Sequence, residues 1–138
     1  MHLRLTYFNF PFWRAETSRL ALHLGGIEFE DRRVSGKEFV EMKNTALLPY
    51  GQLPVLEVDG VVFAQSVAIA KFCGKISGFY PVDDDTAALK VDEFLDTASQ
   101  LTNLVGPSMR EKDPENRAAL RQKLGSEILP QWLHMLEH

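Results

Sequence analysis

The stretch 50-YGQLPVLEVDGVVFAQSVAI-69 decides how the chain folds. Residues 54–58 and 61–64 are two short apolar runs rich in β-branched side chains, split by Asp59-Gly60. Asp-Gly supplies the positive φ angles of a two-residue hairpin turn, so the runs read as an antiparallel pair of strands. Leu53-Pro54 stands ahead of the hairpin, and Gln65-Ser66 opens a helical pattern over 66–77 behind it. In that pattern Ile69, Phe72, Cys73 and Ile76 recur at i, i+3, i+4 and i+7, the spacing of a buried stripe.

The residues flanking the hairpin each admit two readings. A proline at the head of an apolar strand removes a ladder donor. Either it is a plain trans proline at a strand start, or the bond before it is cis. In the second case the bend leaves the Leu53 backbone free to pair with an added extended peptide. Ser66 is expected to be the N-cap of the following helix. It serves as a cap alone, or its hydroxyl joins the free N–H groups of the helix start in holding a carboxylate. Gln65 beside it can donate or accept. Taken in their second readings, these features describe a pocket that lays out a short peptide and grips an anionic end.

Working outward, residues 3–8 (LRLTYF) form a first strand and NFPFW a loop interrupted by Pro11. A helix is expected from Arg14 to Leu24, with Leu20, Ala21 and Leu24 on one face, stopped by Gly25-Gly26. The alternating IEFEDRRV, residues 27–34, is a second strand, and 36–47 contain a short amphipathic helix with Phe39, Val40 and Met42. The order βαβαββα implies a right-handed parallel unit with an antiparallel hairpin added, a thioredoxin-like layout.

GFYPVDDD, residues 78–85, reads as a linker whose aspartates form a solvated helix start. Beyond it the pattern is helical. Val91, Phe94, Leu95, Ala98, Leu101 and Val105 make one stripe, GPSMREKDPEN is expected to break it, and a last helix covers 114–137. Pro130 should kink or divide that helix. The expected organisation is an α/β domain over 1–78, a linker over 79–85, and a partial all-α domain over 86–138. Two amphipathic helices make a hairpin and not a core. A truncated chain, an incomplete gene product or a helical face covered by another subunit is therefore expected.

Composition narrows the function classes. At 138 residues and 45% apolar content, a real core is possible. A net charge of −4 with no basic run argues against nucleic acid. No apolar run approaches the ~20 residues of a membrane span, so no membrane association is expected. MHLRLTYF shows neither the h-region nor the cleavage site of a signal peptide. Cys73 is the only cysteine, which excludes an internal disulfide and fits a reducing, cytoplasmic setting. Its place on the buried stripe suggests packing, not nucleophilic chemistry. His2, His23, His134 and His138 have no ligand spacing, and no metal is expected.

The segments LTYFNF, WRAE and RLAL, with YGQLPVLEVDG and QSVAIAKF, resemble the glutathione S-transferases, most closely the sigma class. GFYPVDDD and ALKVDEFLD resemble that family's linker and the start of its helical domain. The resemblance implies a thioredoxin-like domain followed by a helical domain, here shortened, usually in a homodimer. It implies a detoxifying transferase that uses glutathione as co-substrate, without a metal, against a small hydrophobic electrophile or hydroperoxide. Tyr7 matches the tyrosine whose hydroxyl hydrogen-bonds the glutathione sulfur, lowering the thiol pKa. Gln65 and Ser66 match the pair that holds the γ-glutamyl end, and Leu53, with Pro54, the residue whose backbone pairs with the cysteinyl part. Gln52 lines the groove, Lys43 matches a lysine near the glycyl carboxylate, and Arg14 a loop arginine near the site. Three positions depart from the family pattern. Trp13, in Phe12-Trp13-Arg14-Ala15-Glu16, stands where a glycine is usual. Phe39 replaces a ligand-contacting tryptophan and lacks its indole donor. Gln100, beside Ser99, replaces an acid supplied by the partner subunit, leaving Asp96 alone of the acidic cluster. The family also contains non-catalytic, crystallin-like members, which is the alternative reading.

Overall fold

The computed structural model of the chain describes residues 1–11 and 13–137; Phe12 and His138 lie outside the described residues. Its elements are β1 (Leu3–Phe8), α1 (Glu16–Leu24), β2 (Glu30–Val34), α2 (Gly36–Met42), β3 (Val55–Val58), β4 (Val61–Ala64), α3 (Ser66–Ile76) and α4 (Asp85–Arg110). Then come α5 (Pro114–Lys123), a π turn (Leu124–Ile128) and α6 (Leu129–Leu136). The sheet order is β2-β1-β3-β4, with β1 and β2 parallel and the other pairs antiparallel. This is the expected thioredoxin-like βαβαββα unit. Asp59 and Gly60 take φ of 49° and 87°, the hairpin turn read from the sequence, and Val58 pairs with Val61 across it.

Alternation in β1 places Leu3, Leu5 and Tyr7 in the core with Leu22, Leu56, Ile69 and Cys73. Phe72 and Ile76 of the expected α3 stripe are only half-buried. The expected face of α1 is wrong. Leu20 and Leu24 are 50% and 68% exposed, and the buried residues are Ser18, Arg19 and Leu22. With Ala15 these form an i, i+3, i+4, i+7 stripe that hydropathy alone counts as polar, because Arg19 is drawn inward by ion pairs to Glu16 and Asp31. The end of α1 comes so close to Ser77 that a Cβ on Gly25 would overlap the Ser77 Cβ. The α2 helix opens with a capping box in which Ser35 and Glu38 satisfy each other's N–H, and it ends at Met42, before residue 47.

The chain divides into two compact units, Met1–Asp92 and the residues from Glu93 on. Asp92, at the end of the first, accepts from Tyr80 Oη at 3.0 Å and from Lys71 Nζ at 2.6 Å. The sequence boundaries at 78 and 85 mark changes of composition; the contacts draw their line inside α4. Asp84 caps that helix, accepting from the N–H groups of Thr86 and Ala87.

In the second unit the expected break in GPSMREKDPEN falls at residues 111–113: α4 runs through Pro107 to Arg110, and α5 starts at Pro114. The Ser108 hydroxyl donates to the Val105 carbonyl at 2.9 Å, giving a backbone acceptor near the proline a partner. The expected division at Pro130 is present. The Leu129 N–H reaches the Leu124 carbonyl five residues back, and Pro130 lies in the first turn of α6. The π turn absorbs the bond that a proline cannot donate. Among the described residues no helix is long and apolar enough to cross a membrane.

Candidate active site

Strand register gathers the expected residues. Thr6 pairs with Val55, and Val55 with Ala64. One residue further along each strand stand Tyr7, Pro54 and Gln65. The parallel strand β2 finishes at the same end of the sheet, where Tyr7 pairs with Arg33, and passes the chain to α2 with Phe39 and Lys43. The carboxyl ends of parallel strands are where α/β sheets usually expose a binding crevice.

Tyr7 is 3% exposed. Its ring meets Phe8 and Phe10 edge-on at 5.5 Å, Phe8 stacks on Phe10, and Phe39 meets Phe8 edge-on at 5.0 Å. Phe39 is thus held in an aromatic cluster at the root of the site. Burial raises the Tyr7 phenol above its ordinary 10.0, opposed in part by the Arg14 backbone N–H and by the charges of Arg14 and Arg19. Tyr7 therefore keeps its proton at neutral pH and is a hydrogen-bond donor whose oxygen already faces a backbone N–H.

On the other side of the row, the Leu53–Pro54 bond is cis, the second of the two forms the sequence left open. The ladder begins at Val55, so the Leu53 peptide group lies outside it. Gln52 is exposed. Lys43, which ends α2, runs its stem beside Gly51: a Cβ there would be 3.8 Å from the Lys43 Cγ and Cε. That places its stem beside the residue that precedes Gln52.

Ser66 is not the N-cap expected. The cap position is Gln65, whose carbonyl accepts from the Ile69 N–H at 3.0 Å, and Ser66 is the first helical residue. Gln65 adopts φ 75° and ψ 111°, a conformation glutamine rarely takes, and this turns the chain one residue earlier than a serine cap would. Among the described residues no side chain caps α3, so its leading N–H groups and the Ser66 hydroxyl stand at an open positive helix end. Trp13 likewise has φ 92° and leans on the core, at the position where the family pattern has glycine.

Other candidates fall where expected or elsewhere. Cys73 is fully buried, and burial pushes its thiol up to about 11, which makes it a packing residue. Gln100 is an exposed residue of α4 in the second unit, as is Asp96, with Ser99 half-buried. Among the described residues there is no group of three or more His, Cys, Asp or Glu that could hold a metal. A groove of about 740 Å³ at the start of β1 and β2, lined by His2, Ile27 and Phe29 among others, lies at the opposite end of the sheet from Tyr7.

Sequence reasoning missed one feature near Tyr7. The carboxylate of Asp31 accepts from Arg19 Nε at 3.0 Å and from Arg33 Nε at 2.8 Å. In the sequence these residues read as the polar face of an edge strand and an outward helix position.

Comparison with known proteins agrees with this fold. The family described as glutathione S-transferase, N-terminal domain, matches residues 3–74. Glutathione S-transferase 3 of Caenorhabditis elegans is 41% identical over 97 residues, 70% of this chain and 45% of that protein. Hematopoietic prostaglandin D synthase of Gallus gallus is 36% identical over 118 residues, 83% of this chain and 56% of that protein. The solved prostaglandin synthase D of Nilaparvata lugens superposes with a TM-score of 0.88 at 33% identity, over 98% of this chain and 66% of that one. The chain spans about half the length of the curated relatives it matches. It belongs to the glutathione S-transferase family.

Proposed function

We propose that the chain is a sigma-like glutathione transferase that activates the glutathione thiol for attack on a hydrophobic electrophile or hydroperoxide. The observation that carries this reading is Tyr7: buried, held protonated, and placed in register with Pro54 and Gln65. A free thiol with pKa near ~8.5 is mostly protonated at neutral pH. The Tyr7 hydroxyl donates to the sulfur, stabilises the thiolate and lowers that pKa. The thiol proton leaves to solvent. The thiolate then forms the bond to carbon and expels the leaving group, or it attacks the terminal peroxide oxygen, which breaks the O–O bond, releases the alcohol with a proton from solvent and leaves the sulfur as a sulfenic acid.

The other residues hold the tripeptide. The Leu53 peptide group, outside the ladder beside cis Pro54, pairs with the cysteinyl backbone. Gln65, Ser66 and the first N–H groups of α3 hold the γ-glutamyl carboxylate, helped by the helix dipole. Lys43 faces the glycyl carboxylate, Gln52 lines the groove, and Arg14 supplies charge and an N–H near Tyr7. Phe39 offers an apolar wall without an indole donor. In the proposed homodimer, Gln100 of the second unit faces the partner's ligand, as a neutral replacement for an acid. The detoxifying, cytoplasmic role follows from the same family reading.

Retention on immobilised glutathione, followed by turnover with a generic aromatic electrophile, tests the proposal. Retention with turnover is the expected result. Retention without turnover would instead favour a non-catalytic member of the family, and loss of both would refute the reading.

A further inference from the structure

We infer that Asp31 is a positioning residue for the Tyr7 hydroxyl: through Arg19 and Arg33 it fixes both ends of the segment that carries Arg14 against Tyr7. This deepens the proposed thiol activation and rests on that reading for its consequence in turnover.

The chain of contacts is continuous. Asp31 Oδ1 accepts from Arg19 Nε at 3.0 Å, and Arg19 Nη1 donates to Glu16 at 2.6 Å. Glu16 opens α1, and its N–H returns to the Trp13 carbonyl at 3.0 Å. On the other side, Asp31 Oδ2 accepts from Arg33 Nε at 2.8 Å, and Arg33 Nη1 donates to the Phe10 carbonyl at 3.2 Å. Phe10 is two residues past β1, and its ring is edge-on to Tyr7 at 5.5 Å. One carboxylate therefore holds the start of the segment at Phe10 and its end at Glu16. Arg33 is also the register partner of Tyr7, so the clamp is built on the tyrosine's own row.

The form of the network argues for aim over stability. Partly exposed ion pairs stabilise a fold little. Forked guanidinium contacts, by contrast, assign each oxygen to one N–H and fix orientation. Arg19 is 8% exposed, and its Nη2 is buried without a partner among the described residues. The charges that act on the Tyr7 oxygen are those of Arg14 and Arg19, and Arg19 is one of the two arginines Asp31 holds.

The test uses the full chain carrying Asp31→Asn or Arg33→Lys, which keeps the charge but loses the forked contact, each with and without Tyr7→Phe. Phenolate absorbance is titrated, and the difference within each pair isolates Tyr7. Losing the Asp31 charge alone would favour the phenolate and lower the titration point. A rise therefore reports that the Arg14 N–H and the Arg19 charge have moved away. The expected result is a rise in both variants, with kcat toward an aromatic electrophile falling about tenfold and KM for glutathione staying within about twofold. A Tyr7 titration unmoved or lowered would overturn the inference; if Asp31→Asn does not fold, Arg33→Lys decides. Because the titration needs no glutathione, a raised Tyr7 in a chain whose parent shows no turnover would uphold the clamp and refute the proposed function instead.

Discussion

The two sides of the candidate site are built from different materials. The thiol side is made of side chains: a buried tyrosine, an aromatic cluster and an ionic clamp. The peptide side is made of backbone: a cis peptide bond at Leu53, a left-handed φ at Gln65 and an uncapped helix start. Side chains on a sheet floor can hold a proton donor in a water-poor place, where it acts on charge that develops during reaction. Exposed backbone and helix ends recognise the fixed shape and charge of a peptide. The thiol side should therefore govern turnover and the peptide side affinity.

The sharpest break between them is Tyr7→Phe. It should cost about 10²-fold in kcat while leaving glutathione affinity nearly intact, as loss of one positioned donor does. Steady-state kinetics beside calorimetric binding would separate the two. An equal loss in affinity and rate would merge the two sides into one.

Cys73 belongs to neither side and serves as a control. Its folded thiol titrates at about 11 against an ordinary 9.0, so the folded state keeps the proton longer than the unfolded chain. Its contribution is complete below pH 9.0 and is lost as pH rises to about 11, roughly 2 kcal/mol at the upper limit. Melting temperatures should fall across that window and fall less steeply in Cys73→Ala. An identical slope in both proteins would remove Cys73 as the cause.

Ser66→Ala should raise the dissociation constant for glutathione about tenfold, the effect of losing a hydrogen bond to a carboxylate. The kcat should change much less. Because Ser66 is the first helical residue and not the cap, its melting temperature should hardly move. A clear drop in melting with unchanged affinity would make Ser66 a structural residue after all. Smallest is Lys43→Ala, an exposed charge beside Gly51. It should weaken binding about threefold in low salt, and less as salt rises. A salt-independent loss would place its effect in the packing of its stem on the 50–53 turn.

What could be read from the sequence divides along the same line. The hairpin was legible because Asp-Gly readily takes the positive φ angles of a tight turn, and the family was legible in the segments around Tyr7, Leu53, Gln65 and Ser66. Pro130 announced its break, since a proline inside a helix must displace a hydrogen bond. The inward face of α1 was not legible. Leu20 and Leu24 outrank Ser18 and Arg19 in hydropathy, and only the tertiary partners Glu16 and Asp31 bring Arg19 inside. The helix over 66–77 was legible, but its cap was placed on Ser66, one residue late, because nothing in a glutamine codes for φ 75°. The break in GPSMREKDPEN was legible as well, although it falls after Arg110 and not at Pro107, which α4 accommodates. Asp31 stayed hidden because alternating charge on an edge strand looks the same whether it meets water or two arginines.

The most direct test of the account is the ionisation of bound glutathione. Thiolate absorbance of the saturated complex, titrated with pH in the parent chain and in Tyr7→Phe, reads the interaction that the site is proposed to make. The parent should bring the thiol at least about one unit below its free value of ~8.5, and Tyr7→Phe should return it most of the way. A bound thiol that titrates at its free value in the parent, or equally low in both proteins, would contradict the assignment of Tyr7 as the donor to sulfur.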